Sequence, residues 1–206
     1  LLAATAAAQV IPLIPHQRTL DLVVVDSTYD GVWRCVDWNQ DGDYLDPGEV
    51  TSYYSDTIGS IPLTTPICIS TSRDGTVQVR ALKAELDRLR REILALRDAN
   101  EDGDANSFGE HRVFFDSSNA SGIVMASIGG LYVDYLGRVF AAVANSGSTG
   151  ADEILIFEDL NGDGDANDVG EARSYHTILG APSTGDSIPT EVLAGPDLNL
   201  YYAEIG

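Results

Sequence analysis

Basic residues are scarce in this chain. Its 206 residues include 12 Lys plus Arg against 32 Asp plus Glu, a formal net charge of −20. A surface this acidic is repelled by nucleic-acid phosphates and by anionic lipid, which excludes both as partners. Cysteine is sparse as well. Cys35 and Cys68 are the only two, and they match neither a zinc nor a redox spacing. They leave open a single disulfide in an oxidising compartment or two buried thiols. No apolar run is long enough to span a bilayer. There is no G-x-S-x-G elbow, phosphate loop or dinucleotide fingerprint. His16, His111 and His176 have no ligand spacing and are expected as ordinary packing or surface residues. The 44 % hydrophobic content is enough to build a core.

What the chain does have is one acidic pattern, three times over. Asp37–Glu49 reads DWNQDGDYLDPGE, Asp98–Glu110 reads DANEDGDANSFGE and Asp159–Glu171 reads DLNGDGDANDVGE. The first aspartates of successive copies are 61 residues apart. Each copy keeps Asp, Asn, Asp, Gly, Asp, a second Gly and a closing Glu at the same offsets, the mark of an internal structural repeat. The loops hold 15 of the 32 acidic residues. Carboxylates brought together at alternate positions repel unless a cation sits among them, and a hard divalent ion with six to eight oxygen ligands suits the set. The glycine between the last two donors permits the sharp turn that folds them inward. The expected ligands are Asp37, Asn39, Asp41, Asp43 and Glu49 in the first loop. In the second they are Asp98, Asn100, Asp102, Asp104 and Glu110, and in the third Asp159, Asn161, Asp163, Asp165 and Glu171. The expected cofactor is Ca²⁺, about three ions, rather than Mg²⁺, which would need to keep several waters.

Strand-like runs flank every loop. Val32–Val36 enters the first and Val50–Tyr54 leaves it. Glu92–Leu96 and His111–Phe115 bracket the second, and Glu153–Phe157 and Ala172–His176 the third. Further strand-like runs occupy Val10–Ile14 and Leu20–Asp26. A second ladder, Gly75, Gly137 and Asn199, steps by 62 residues. Each member lies between two short apolar runs, where a tight hairpin demands positive φ. The repeat unit is then a hairpin, a third strand, the acidic loop and a fourth strand. One segment conflicts with this pattern. Leu82, Leu86, Leu89, Ile93 and Leu96 recur at helical spacing among good helix formers. A short helix over 82–90 is expected there, giving way to strand from Glu92.

Four-stranded units at this period suggest β-propeller blades. The stretches EILIFEDLNGDGDANDVGE and EILALRDANEDGDANSFGE resemble blades of secreted bacterial β-propeller proteins, which carry a D-x-N-x-D-G-D-x-x-x-x-G-E loop between two outer strands. The resemblance covers roughly Leu20 to Gly206 and implies calcium-stabilised blades in an extracellular protein. The loop is also similar to those of EF-hands and dockerins. It departs from them because the closing Glu stands at the thirteenth place rather than the twelfth, and no helix flanks the first and third copies.

The expected fold class is therefore all-β, a β-propeller-like array of four-stranded blades with a calcium loop per repeat. Residues 1–8 (LLAATAAA) fit the tail of a secretory signal. Residues 9–206 would form one repeat domain, with units near 20–65, 66–128 and 129–188 and a terminal hairpin at 189–206. Three loop-bearing units and a hairpin fall short of the four or so blades a closed ring needs. The strand at Val10–Ile14 could complete the last blade, the chain could be part of a longer one, or the open edge could pair with another copy. The expected function is a non-enzymatic, extracellular structural or adhesive role at the cell surface or in secretion. Its partners would be further copies, in filaments built through open blade edges, or an extracellular polymer. The alternative is a propeller enzyme or carbohydrate-binding module acting on such a polymer, since fold alone does not choose. Asn119-Ala120-Ser121 matches a glycosylation acceptor, most simply by chance. The tyrosines at 53, 54, 132, 135, 201 and 202 are expected to pack within and between blades.

Overall fold

Runs rich in Val, Ile, Phe and Tyr, each bounded by turn residues, form strands because a pleated, half-buried surface suits branched and aromatic side chains. The computed structural model describes residues 21–85, 88–125, 127–144, 151–178 and 188–205. The expected signal remnant at 1–8 and the strand at Val10–Ile14 lie outside these. Thirteen strands are present and no helix is found among the described residues. They form four sheets, each a run of antiparallel neighbours in chain order.

Sheet 1 holds β1 (Leu22–Asp26), β2 (Gly31–Cys35) and β3 (Val50–Ser55). Sheet 2 holds β4 (Thr64–Thr71), β5 (Val77–Glu85), β6 (Arg88–Leu96) and β7 (His111–Phe115). Sheet 3 holds β8 (Ser127–Val133), β9 (Val139–Ala144), β10 (Asp152–Phe157) and β11 (Ala172–Ile178). Sheet 4 is the pair β12 (Ile188–Ala194) and β13 (Leu200–Ile205). Sheets 2 and 3 match the expected unit of hairpin, third strand, acidic loop and fourth strand. Each acidic loop joins the last two strands of its sheet.

Where a helix is expected over 82–90, the described residues 82–85 and 88–90 are strand instead. β5 and β6 pair continuously from Val77 opposite Leu96 to Glu85 opposite Arg88. Helix propensity is worth only tenths of a kcal/mol per residue. Here the antiparallel ladder, begun by the strand cores at Val77–Ala81 and Ile93–Leu96, extends outward and overrides it.

Strand alternation gives each inner sheet two buried faces. On β6, Leu94 and Leu96 join Val32, Tyr54, Leu63 and Val79 in the core between sheets 1 and 2. Ile93 and Ala95 point the other way, into the core between sheets 2 and 3 with Phe115, Leu155 and Phe157. On β10, Ile154 and Ile156 join Phe140, Ala142 and Val192 between sheets 3 and 4. Full burial of each such side chain contributes about 1.5–3 kcal/mol. β8 runs very close to β12. A Cβ placed on Gly129 would lie 2.2 Å from the Pro189 carbonyl oxygen, so only glycine permits this approach. Both cysteines are free thiols, Cys35 buried on β2 and Cys68 half-buried on β4. Burial pushes the Cys68 thiol up to about 12.

The tight hairpins fall where expected with one shift of position. Gly75 and Gly137 take φ of 87° and 83°, and each amide donates to the carbonyl three residues back, Ser72 and Asp134. In sheet 4 the same bond runs from the Leu198 amide to Gly195 at 3.0 Å, and Leu198, not Asn199, carries the positive φ of 64°. A leucine in this region is strained, by about 1 kcal/mol or more. Leu198 is 78 % exposed, so it returns little by packing. The substitution Leu198→Gly is expected to raise stability by about 1 kcal/mol, seen as a higher urea midpoint with an unchanged slope. An unchanged midpoint would contradict the strain.

Candidate metal loops and the inter-sheet clip

The three acidic loops fold alike because each side chain caps a backbone amide of its own loop. In the second loop, Asp98 accepts from Asp102 N at 3.1 Å and from Gly103 N at 2.9 Å. Asn100 Oδ1 accepts from Asp102 N, Asp102 from Asp104 N, and Asp104 from Asn106 N, at 2.9, 3.2 and 2.8 Å. This is a chain of Asx turns. The first loop repeats it through Asp37, Asn39, Asp41 and Asp43. The third repeats it through Asp159, Asn161, Asp163 and Asp165. The turns close because the fourth, sixth and twelfth places all have positive φ: Gln40, Gly42 and Gly48, Glu101, Gly103 and Gly109, and Gly162, Gly164 and Gly170.

The closing glutamate locks the loop from inside. Glu49, Glu110 and Glu171 are buried, at 2 %, 4 % and 2 % exposure. Glu110 accepts from Ala99 N and Asn100 N at 3.0 Å each and from Ser107 N at 3.1 Å. Glu171 does the same with Leu160, Asn161 and Asp168, and Glu49 with Trp38 and Asp46. Every expected ligand therefore lies in its own loop's turn network. In loop 2, Asp102, Asp104 and Glu110 each present a carboxylate oxygen within 4.8 Å of the others, close enough to hold a metal ion. Asp98 lies outside that group, both its oxygens engaged by backbone amides. Among the described residues no other set of His, Cys, Asp and Glu ligand atoms draws so close.

The tenth place was not singled out by donor spacing. Asn161 donates to Asp168 at 2.6 Å and to Asp163 at 3.0 Å. Asn39 bonds Asp46 likewise, and in loop 2 Ser107 stands at that place, 3.3 Å from Asn100 Nδ2. Asp163 is held below the usual carboxylate range, first by the Asp165 amide, then by Asn161, with a further contribution from Arg112.

The loops also join the sheets. Ala105 N donates to the Tyr53 carbonyl of sheet 1 at 2.8 Å, and Asn106 Oδ1 accepts from Ser55 N at 3.1 Å. One repeat on, Ala166 N donates to the Phe114 carbonyl of sheet 2 at 2.8 Å and Asn167 Oδ1 accepts from Asp116 N at 3.0 Å. Both alanines are fully buried in the inter-sheet cores. Tyr53 and Phe114 are each the extra residue of a β-bulge, which leaves their carbonyls outside the ladder and available. An arginine of the preceding sheet backs each clip. Arg34 lies against Gly103, and Arg112 so close to Gly164 that an added Cβ would sit 2.8 Å from its guanidinium carbon. The sequence signal was the shared Ala-Asn at the eighth and ninth places of loops 2 and 3, where loop 1 has Tyr44-Leu45. No protein-family model matches this chain, and no curated protein does.

Of the other candidate residues some pack and some do not, and Tyr201 and Tyr202, expected to pack, are exposed at 50 % and 42 %. His111 bonds the Ala105 carbonyl at 3.0 Å and Ser60 Oγ at 2.7 Å, bracing the first clip. Asn119 is 7 % exposed, and its amide is engaged by Asp116 and Ile123, so it is no accessible glycan acceptor. Tyr53 and Tyr54 are core residues, while Tyr135 stands outside any strand and is 67 % exposed. The substitution Asn167→Leu removes the acceptor for the Asp116 amide and leaves the loop's own turns intact. It is expected to cost about 1–2 kcal/mol, read by thermal unfolding. A cost no greater than that of the same change at exposed Asn199 would refute the clip.

Proposed function

We propose that this protein is a calcium-braced β-propeller-type scaffold that serves a structural or adhesive role outside the cell and has no catalytic activity. The observation that carries this reading is the convergence of Asp102, Asp104 and Glu110 within a loop that also fastens its sheet to the one before. A divalent cation there neutralises the cluster and fixes the clip with it. Calcium suits an all-oxygen site of irregular geometry, and the millimolar calcium outside cells suits loops of modest affinity. The same donor set stands at the same places in loops 1 and 3, giving three ions per chain. The test is a calcium titration of the intact chain and of Asp163→Ala. Three equivalents falling to two supports the assignment, and an unchanged stoichiometry refutes it for loop 3. Electron microscopy with calcium and with chelator tests assembly. Monodisperse single particles in both conditions would count against filaments.

A second reading has its own support. A cleft of about 560 Å³ between sheets 2 and 3 is lined by Arg73 and Arg112, by Asp74 and Asp159, and by Tyr135 and Leu136. An exposed aromatic ring beside two guanidiniums and two carboxylates suits a neutral polysaccharide, held by stacking and hydrogen bonds. Retention of the protein by a neutral polysaccharide column, lost in Tyr135→Ala, would favour a binding module over a purely structural part.

A further inference from the structure

Sheets 2 and 3 are built on one plan, and they differ in the face each turns to the next sheet. On β5, Val77 and Val79 turn into the core between sheets 1 and 2, so Gln78 takes the opposite face, toward sheet 3. Gln78 stands opposite Ala95 of β6. One repeat on, Phe140 stands opposite Ile156 of β10 in the same register and fills the core between sheets 3 and 4. The repeat therefore has an aromatic ring where the seam between sheets 2 and 3 has an amide. Gln78 is 5 % exposed, and its side-chain oxygen accepts no hydrogen bond. A buried amide without that bond costs stability, and an apolar side chain does not.

Gln78 lines the cleft between sheets 2 and 3, whose rim carries Tyr135 and Leu136, 67 % and 62 % exposed. The two carboxylates of the cleft are already engaged. Asp74 accepts from the Ser72 hydroxyl and from the amide and hydroxyl of Thr76. Asp159 accepts from the Gly162 and Gly164 amides. With Arg73 and Arg112 the charges of the lining balance, two of each sign. We infer that Gln78 is the specificity-determining residue of this cleft, its amide hydrogen-bonding a hydroxyl of an uncharged sugar whose ring lies on Tyr135. An amide offers an acceptor and two donors, and a hydroxyl both donates and accepts, so the pair is satisfied at depth. The apolar face of a sugar suits the phenol ring, while its edge carries the hydroxyls that reach down. A ligand lacking that hydroxyl leaves the amide unpaired and is rejected more strongly than one that differs in shape alone. The inference rests on the carbohydrate-binding reading of the cleft and not on the calcium assignment.

The test uses the full chain, with soluble β-glucan, mannan, galactan and chitin oligosaccharides as probes and alginate as the acidic control. At least one neutral probe is expected to bind saturably, and Tyr135→Ala to abolish that binding. Gln78→Met keeps the volume without the amide. It is expected to bind the same probe about tenfold more weakly, while its melting temperature without ligand rises by about 2–4 °C. Effects of opposite sign on binding and stability separate a ligand contact from a structural one. In the nitrogen-15 spectrum, the side-chain amide signal missing from Gln78→Met is expected to shift when the probe saturates the unaltered chain. Binding lost in Tyr135→Ala but unchanged in Gln78→Met would overturn the role of Gln78 and leave the carbohydrate reading standing. No binding of any neutral probe, or tighter binding of alginate, would overturn both. A Gln78→Met chain that is destabilised or unfolded would overturn the inference as well, because the amide would then be holding the fold.

Discussion

Excess chelator is expected to lower the melting temperature by about 20 °C relative to saturating calcium. A ligand that binds only the folded state stabilises it by RT ln(1 + [L]/Kd), about 2.7 kcal/mol at a hundredfold excess. Three such loops give roughly 8 kcal/mol, a large share of the 5–15 kcal/mol that holds a typical domain folded. For a chain of this size each kcal/mol moves the midpoint by roughly 2–4 °C. The effect should exceed that of local loop ordering, because loops 2 and 3 are also the fasteners of sheets 1 to 2 and 2 to 3. Ala105 and Ala166 lie in the hydrophobic cores themselves, so a loop that opens pulls core surface into water. Chelation is therefore expected to release stacked sheets, seen as a loss of near-ultraviolet signal from Tyr54, Phe115 and Phe157 together. A midpoint difference below about 2 °C between the two conditions would rule out a bracing role at this scale.

The repeat was legible because its spacing is carried by residues that cannot be exchanged freely. Gly42, Gly103 and Gly164 all take φ near 100°, and the closing glutamates are each buried against backbone amides. Such positions leave a fixed mark in the sequence, so the loops and the strands on either side fall within a residue or two of expectation, except that β6 begins at Arg88, four residues before Glu92. The expectation of helix across residues 82–85 and 88–90 fails for a physical reason. The intrinsic preference of these residues is helical, and only the pairing of β5 with β6 makes them strand. That pairing is a non-local fact which no window of the sequence contains. The shift from Asn199 to Leu198 has a similar origin. A search for residues that tolerate positive φ finds Asn, whereas the hydrogen bond from Leu198 to Gly195 fixes the turn one residue earlier. The clip was missed because its receiving half is a main-chain carbonyl at Tyr53 or Phe114, and bulges that expose a carbonyl have no side-chain signature.

Donor spacing assigned Glu49, Glu110 and Glu171 to a metal, and the fold gives them a prior task. Each is a carboxylate almost fully withdrawn from water, made tolerable by the amides it accepts. Charge-assisted hydrogen bonds of this kind are roughly twice as strong as neutral ones. In loop 3, Glu171 accepts from Leu160, Asn161 and Asp168 at 2.9, 3.3 and 3.1 Å, tying the second and third places of the loop to the tenth. Glu171→Ala removes all three acceptors and leaves a cavity beside the start of β11. It is expected to cost on the order of 3–5 kcal/mol, the largest effect of any single loop residue. Glu171→Gln preserves the shape but retains one acceptor oxygen and turns an amide donor toward a backbone donor, so it should recover less than half of the loss. Asp159→Ala, by contrast, unties only the Gly162 and Gly164 amides at the exposed end and should cost less. The ordering is measurable in chelator, where metal ligation contributes nothing. If Glu171→Ala and Asp159→Ala are equal there, the glutamate is not the lock. If the two differ only when calcium is present, its place in the loop is that of a ligand and no more.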